Sequence, residues 1–144
     1  DGGTLFEAQV FPDGSRVVTL GSDGMAVVWS ASSGKALQRL LAPGSGAPRA
    51  VRVLPDGRRL AVGASYVRDD PAVVWSVGAA VAHVLHLLAR PGGATSLLEI
   101  SPCGAKLVTG GSDFPVVFVW STETGRLERE LLGSVGWNTG VSLS

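Results

Sequence analysis

The chain has 144 residues with 20 Gly and 8 Pro; 45% are apolar and only 17% charged. That apolar share excludes intrinsic disorder, which requires low hydrophobicity and strong net charge. Twelve basic residues balance twelve acidic ones, so no global field recruits nucleic acid or anionic lipid. A lone cysteine, Cys103, excludes an internal disulfide framework and a cysteine-based zinc site. The chain opens on Asp1 and its single methionine is Met25, so it is expected to be a piece of something longer.

In chain order, the first unit, about residues 7–48, opens on an alternating segment with Ala8 and Val10 as its apolar positions, then Phe11-Pro12-Asp13-Gly14. Val17-Val18 follow, a stop at Gly21-Ser22, then Val27-Val28-Trp29-Ser30 and a fourth run from Leu37 to Leu41. The second unit, about 49–92, repeats the order: Val51 and Val53, Leu54-Pro55-Asp56-Gly57, Leu60-Ala61, Ala64-Ser65, Val73-Val74-Trp75-Ser76, and Val81 to Leu88. The third, about 93–136, reads Leu98 and Ile100, Ser101-Pro102-Cys103-Gly104, Leu107-Val108, Gly111-Ser112, Phe118-Val119-Trp120-Ser121, and Leu127 to Leu132. Residues 137–144 start a fourth unit. The prolines lie 43 and 47 residues apart and the tryptophans 46 and 45 apart; a period in this range marks a repeat architecture.

The runs are short and β-branched, too brief for helices, and Pro-Asp-Gly and Gly-Ser-Asp-Gly are turn chemistry. Each unit therefore predicts four strands, a to d. A four-stranded antiparallel sheet apolar on both faces needs a sheet on either side, and radial stacking of such sheets gives an all-β propeller. A β-sandwich of about twelve strands explains the turns but not three tryptophans in register. Three units cannot close a ring, so the expectation is about three blades of a larger one.

The residues that carry these predictions resemble WD40 repeats: Pro-Asp-Gly opening strand b, Gly21-Ser22-Asp23 and Gly111-Ser112-Asp113 in the b–c turn, a Trp closing strand c, and Ser33-Gly34 or Thr124-Gly125 before strand d. The resemblance covers residues 7–144 and implies a seven-bladed ring that acts as an intracellular, cytoplasmic protein-binding scaffold. In the family, a His, an Asp, a Ser or Thr, and the Trp form a hydrogen-bonded network. Asp23, Ser22 and Trp29 supply three of these in unit one and Asp113, Ser112 and Trp120 in unit three, with Ser65 and Trp75 in unit two. Two departures stand out: Trp-Asp is Trp-Ser in all three copies, and Arg49-Ala50, Gly93-Ala94 and Asn138-Thr139 replace Gly-His. The hairpins carrying Pro71 and Pro115 resemble those of microtubule-associated and ciliary WD40 proteins, which implies a cytoskeletal or ciliary assembly as partner.

Signatures of chemistry fail one by one. Gly34-Lys35 is followed by Ala36, and Arg49 stands where a dinucleotide fingerprint needs Gly. His83 and His86, three apart on strand d, are expected on opposite sheet faces and so not to share a metal. Cys103 replaces the Asp of a turn. No cofactor, metal or catalytic residue is predicted. The alternative, a hydrolase or oxidoreductase at the central channel, requires titratable groups on strand a; these are Glu7, Arg52 and Glu99, read as non-equivalent positions. Arg49, Arg52, Arg58 and Arg59 are scattered by strand alternation, against nucleic acid. Pro71 to Ala89 carries no formal charge, but Pro71, Gly78 and the two histidines argue against a membrane span.

What remains is the loop face shared by the b–c and d–a connections. Unit two has the longest b–c loop, with Tyr66, Arg68 and Asp69; unit three places Phe114 there, and the d–a loops add Arg90 and Trp137. Aromatics and Arg dominate protein-binding energetics, so these six residues are the expected contacts for a protein or peptide partner.

Overall fold

A computed structural model of the chain describes residues 3–41, 48–63, 71–78, 80–89, 97–110 and 116–133. These form twelve strands: β1 (Leu5–Val10), β2 (Arg16–Gly21), β3 (Met25–Ser30), β4 (Ala36–Leu41), β5 (Ala50–Val53), β6 (Arg59–Gly63), β7 (Ala72–Ser76), β8 (His83–Leu88), β9 (Leu97–Ile100), β10 (Lys106–Gly110), β11 (Val116–Ser121) and β12 (Leu127–Leu132). They assemble into three four-stranded antiparallel meanders, β1-β2-β3-β4, β5-β6-β7-β8 and β9-β10-β11-β12. This is the all-β blade architecture expected, with strands a to d in order. The first strand starts at Leu5, and the fourth strand of blade two starts at His83, two residues after Val81.

The turn joining strands a and b shows why the Pro-x-Gly phrase recurs. Gly14, Gly57 and Gly104 adopt φ of 73°, 66° and 77°, a left-handed conformation that a Cβ disfavours. Each donates its N–H to the carbonyl three residues back, at Phe11, Leu54 and Ser101. The Asp13 carboxylate accepts from the Ser15 N–H at 2.9 Å and that of Asp56 from the Arg58 N–H at 2.8 Å. Where Cys103 replaces the aspartate, the thiol meets the equivalent N–H, that of Ala105, and the Ser101 hydroxyl accepts from the Lys106 N–H at 3.0 Å.

Two apolar cores lie between the blades rather than within them. Phe11, Val18, Leu20, Ala26, Val28 and Leu40 of blade one pack on Val51, Leu60, Val62, Trp75 and Val77 of blade two. The other face of blade two, with Leu54, Ala61, Ala72, Val74 and Leu88, packs on Leu98, Leu107, Phe118 and Trp120 of blade three. Burying one such Val or Leu contributes about 1.5–3 kcal/mol, so each blade draws much of its stability from its neighbour. The blades converge at their first strands, where β1 meets β5 and β5 meets β9.

One feature repeats that strict alternation does not predict. In every blade the last two strands slip register beside the tryptophan: Val28 pairs with Gln38 and Trp29 with Ala36, Val74 with His86 and Trp75 with Val84, Val119 with Arg129 and Trp120 with Leu127. Leu37, Leu85 and Glu128 are thus extra residues, the hallmark of a β-bulge.

Candidate interaction faces and the inner-strand clamp

All six expected partner contacts, Tyr66, Arg68, Asp69, Arg90, Phe114 and Trp137, lie outside the described residues, as do Ser65, Ser112 and Asp113. At the b–c and d–a end of blade one, the Arg49 guanidinium sits 4.5 Å from the centre of the Phe6 ring, a cation–π contact. The Ser22 hydroxyl accepts from the Thr4 N–H at 2.9 Å, and the Asp23 carboxylate accepts from the Met25 N–H at 3.1 Å.

The indoles are held by threonines of strand b. Trp29 Nε1 donates to Thr19 Oγ1 at 2.8 Å and Trp120 Nε1 to Thr109 Oγ1 at 2.9 Å. The hydroxyl that completes the network is therefore that of Thr19 rather than that of Ser22, because strand register puts Thr19 and Trp29 on one face while Ser22 lies in the turn. The equivalent of these threonines in blade two is Val62: each lies five residues after its turn glycine. The buried Trp75 Nε1 accordingly has no acceptor among the described residues.

The first strands carry a cross-blade clamp. Arg52 on β5 donates through Nη1 to Glu7 Oε1 on β1 at 2.5 Å and through Nη2 to Glu99 Oε1 on β9 at 3.2 Å. The second oxygen of Glu7 accepts from the Val51 N–H at 2.8 Å, and Gln9 Oε1 accepts from the Val53 N–H at 3.0 Å. Burial disfavours the charged guanidinium, but Glu7 and Glu99 outweigh it and push the Arg52 pKa up. The expected non-equivalence holds for Glu7, which pairs with Leu20, but not for the other two: Arg52 pairs with Ala61 and Glu99 with Val108, the same register position in their blades, which Gln9, paired with Val18, fills in blade one. The guanidinium takes up both carboxylates, so the arrangement binds three blades together through charge-assisted hydrogen bonds.

A second set of links spans the opposite end, where the a–b and c–d turns lie. Arg16, two residues after Gly14, donates to the Val77 carbonyl at 2.9 Å and to the Gly57 carbonyl, while stacking 4.0 Å from the Phe11 ring centre. Arg59, two residues after Gly57, donates to the Thr122 carbonyl at 3.0 Å and pairs with Asp56 Oδ2 at 2.7 Å. Val77 and Thr122 both follow a Trp-Ser step, so the two staples are the same contact made twice. Lys106 occupies this position in blade three and pairs with Glu128. A cleft beside it is lined by Arg59, Cys103, Lys106, Ser121, Thr122 and Glu123. The exposed Cys103 thiol is lowered in pKa chiefly by the Ala105 N–H, then by the Ser101 hydroxyl.

The bulge also corrects the histidine geometry. His83 pairs with Ser76 and His86 with Val74; since 74 and 76 share a face, so do the two histidines, with the extra residue Leu85 between them. His86 Nε2 lies 2.9 Å from the Glu123 carbonyl. Among the described residues no group of three or more His, Cys, Asp or Glu is placed to hold a metal ion. No helix among them is long and apolar enough to cross a membrane.

No family model matches the chain. Protein HIR1 of Yarrowia lipolytica is 30% identical over 132 residues, which make up 92% of this chain and 10% of that protein. Among solved structures, the β-propeller domain of Myceliophteria thermophila Cps50 (Swd1) superimposes with a TM-score of 0.81 at 15% identity, over 96% of this chain and 46% of that one. U3-55K and the WD40 repeats of RRP9 each give a TM-score of 0.82 at 21% identity, over 97% of this chain and 42% of theirs. The chain spans a tenth of the length of HIR1 and less than half of each of these structures. Three four-stranded meanders whose described cores lie between blades, superimposed over almost the whole of this chain on parts of such propellers, give the chain the fold of WD40-type β-propeller blades.

Proposed function

We propose that the chain is a non-catalytic protein-interaction scaffold, a segment of a larger WD40 ring that docks a protein or peptide partner on its b–c and d–a loop face. The observation that carries this reading is where the charged groups of the inner strands and of the far end are spent. Glu7, Arg52 and Glu99 tie the first strands together, and Arg16 and Arg59 tie the a–b end, so both act on blade-to-blade rigidity. A rigid frame of this kind presents its remaining loops for recognition. The larger ring is supported by one register position: Leu40 and Leu88 are 2% and 3% exposed against the following blade, whereas Leu131, their equivalent in blade three, is 49% exposed. Another blade on that face would bury it.

The contacts in this reading are Tyr66, Arg68, Asp69, Arg90, Phe114 and Trp137, in a reducing, cytoplasmic setting that keeps Cys103 free. A cytoskeletal or ciliary assembly, the partner class implied by the hairpins of Pro71 and Pro115, is the first to test. The test is affinity capture followed by titration of the captured protein against the chain and its Tyr66→Ala/Arg68→Glu variant. Weakened binding at an unchanged melting temperature is expected; equal affinity would remove this site. The meeting of Glu7, Arg52 and Glu99 is also what a channel-centred enzyme would need. Hydrolase or oxidoreductase turnover abolished by Glu99→Gln, with the fold intact, would favour that alternative.

A further inference from the structure

The three outermost strands occupy the same place in their blades but differ in chemistry. Each ends its sheet, so one row of backbone N–H and C=O groups has no strand beside it among the described residues. Strand β4, ALQRLL, carries Arg39, and β12, LERELL, carries Glu128, Arg129 and Glu130. Charges on an edge are a common device against unwanted strand pairing. Strand β8, HVLHLL, carries none. Its Val84, Leu85 and Leu87 are 40%, 37% and 55% exposed. The edge also lies on the circumference, away from the faces where blade meets blade, so it stays open however many blades complete the ring.

We infer that β8 is a self-association edge, pairing antiparallel with β8 of a second copy of this chain about a two-fold axis between Leu85 and His86. The strand's own register selects this occupant. An axis there sets Val84 opposite Leu87 of the second copy, and Leu87 opposite its Val84. Within the blade, Val84 pairs with Trp75 and Leu87 with Val73, and residues 73 and 75 share a face, so Val84 and Leu87 do too. The four apolar side chains thus meet on one side of the joined sheet, as cross-strand pairs. The same axis sets His83 opposite Leu88, both of which lie on the other face, since their partners Ser76 and Ala72 share it. The strand is thus self-complementary in face at 83/88 and 84/87 and in apolar character at Val84 and Leu87, and a two-fold interface of this kind closes on itself as a dimer.

Sedimentation velocity of the 144-residue chain across a concentration series should show a reversible dimer. Leu87→Lys, and separately Val84→Lys, should raise its dissociation constant by roughly tenfold or more, by removing apolar contact and placing two charges at the seam. Circular dichroism should show that both exposed-site variants keep the wild-type strand content. Register is read by cross-linking in a Cys103→Ser background: Val84→Cys mixed with Leu87→Cys should form a disulfide-linked dimer, and Leu87→Cys alone should not. A monomeric wild type, whether or not an unrelated peptide binds the edge, overturns the inference. So does an oligomer that both lysine variants leave intact, which would place association on the outer blade faces, or equal cross-linking of Leu87→Cys with itself.

Discussion

Substituting Val62 by threonine should stabilise the protein, although it places a hydroxyl in a fully buried position. Val62 is 1% exposed, and in blades one and three the residue at its register position is the threonine that accepts from the indole. Blade two alone leaves its indole Nε1 buried without an acceptor among the described residues. Threonine nearly matches valine in shape, so Val62→Thr would supply the missing acceptor with little repacking. A formed hydrogen bond contributes about 0.5–1.5 kcal/mol net, and relief of the orphaned donor works in the same direction. In a Trp75→Phe background the hydroxyl has nothing to bond, and the same substitution should cost about 1–3 kcal/mol. The double-mutant cycle should therefore show a coupling of roughly 3 kcal/mol, with Val62→Thr changing sign between backgrounds. Urea unfolding followed by far-ultraviolet circular dichroism measures all four corners. An equal loss of stability from Val62→Thr with and without the indole would refute the reasoning.

Two further predictions concern the charged links. Arg52→Met should destabilise the protein by about 1.5–3 kcal/mol, since it removes charge-assisted hydrogen bonds and leaves Glu7 and Glu99 facing each other; Glu7→Gln, which still accepts from the Val51 N–H, should cost less in the same urea assay. Asp56 predicts an acid limb. Burial raises its pKa, but the Arg58 N–H and the Arg59 guanidinium outweigh that and hold it below the usual carboxylate range. Its contribution is thus present above the unfolded carboxyl pKa of about 4 and lost as pH falls through the lower folded value. Asp56→Asn should flatten stability against pH in that window; an unchanged acid limb would show that the Asp56–Arg59 pair contributes nothing.

Features that repeat in phase along one chain were legible from residues alone. The Pro-x-Gly turns, the Trp-Ser steps and the apolar runs between them placed all twelve strands and the blade stacking. What escaped was set by pairing between strands. A bulge residue such as Leu85 has no composition of its own, so alternation put His83 and His86 on opposite faces when they share one. The threonines that meet the indoles of Trp29 and Trp120 were passed over for the serine nearer the turn, though Thr19 and Thr109 recur at one offset from the turn glycine. Counting from that same glycine aligns Gln9, Arg52 and Glu99, and equally Arg16, Arg59 and Lys106; the staples and two members of the clamp were present in the sequence as equivalent positions but not as contacts, while Glu7 reaches Arg52 from two residues before the aligned Gln9. Tyr66, Arg68 and the other loop residues stay expectations, since their positions fall outside the described residues.

The central claim is that the tandem units are sheets packed face to face, each tryptophan holding the same place in its blade. Solution NMR of the chain with labelled methyl groups and indoles tests it most directly. Cross-peaks from the Leu20 and Val28 methyls to those of Leu60 and Val62, together with indole N–H contacts from Trp29 to Thr19 and from Trp120 to Thr109, are the predicted result. Indoles in unrelated surroundings, or no contact between the methyls of the first and second units, would contradict it.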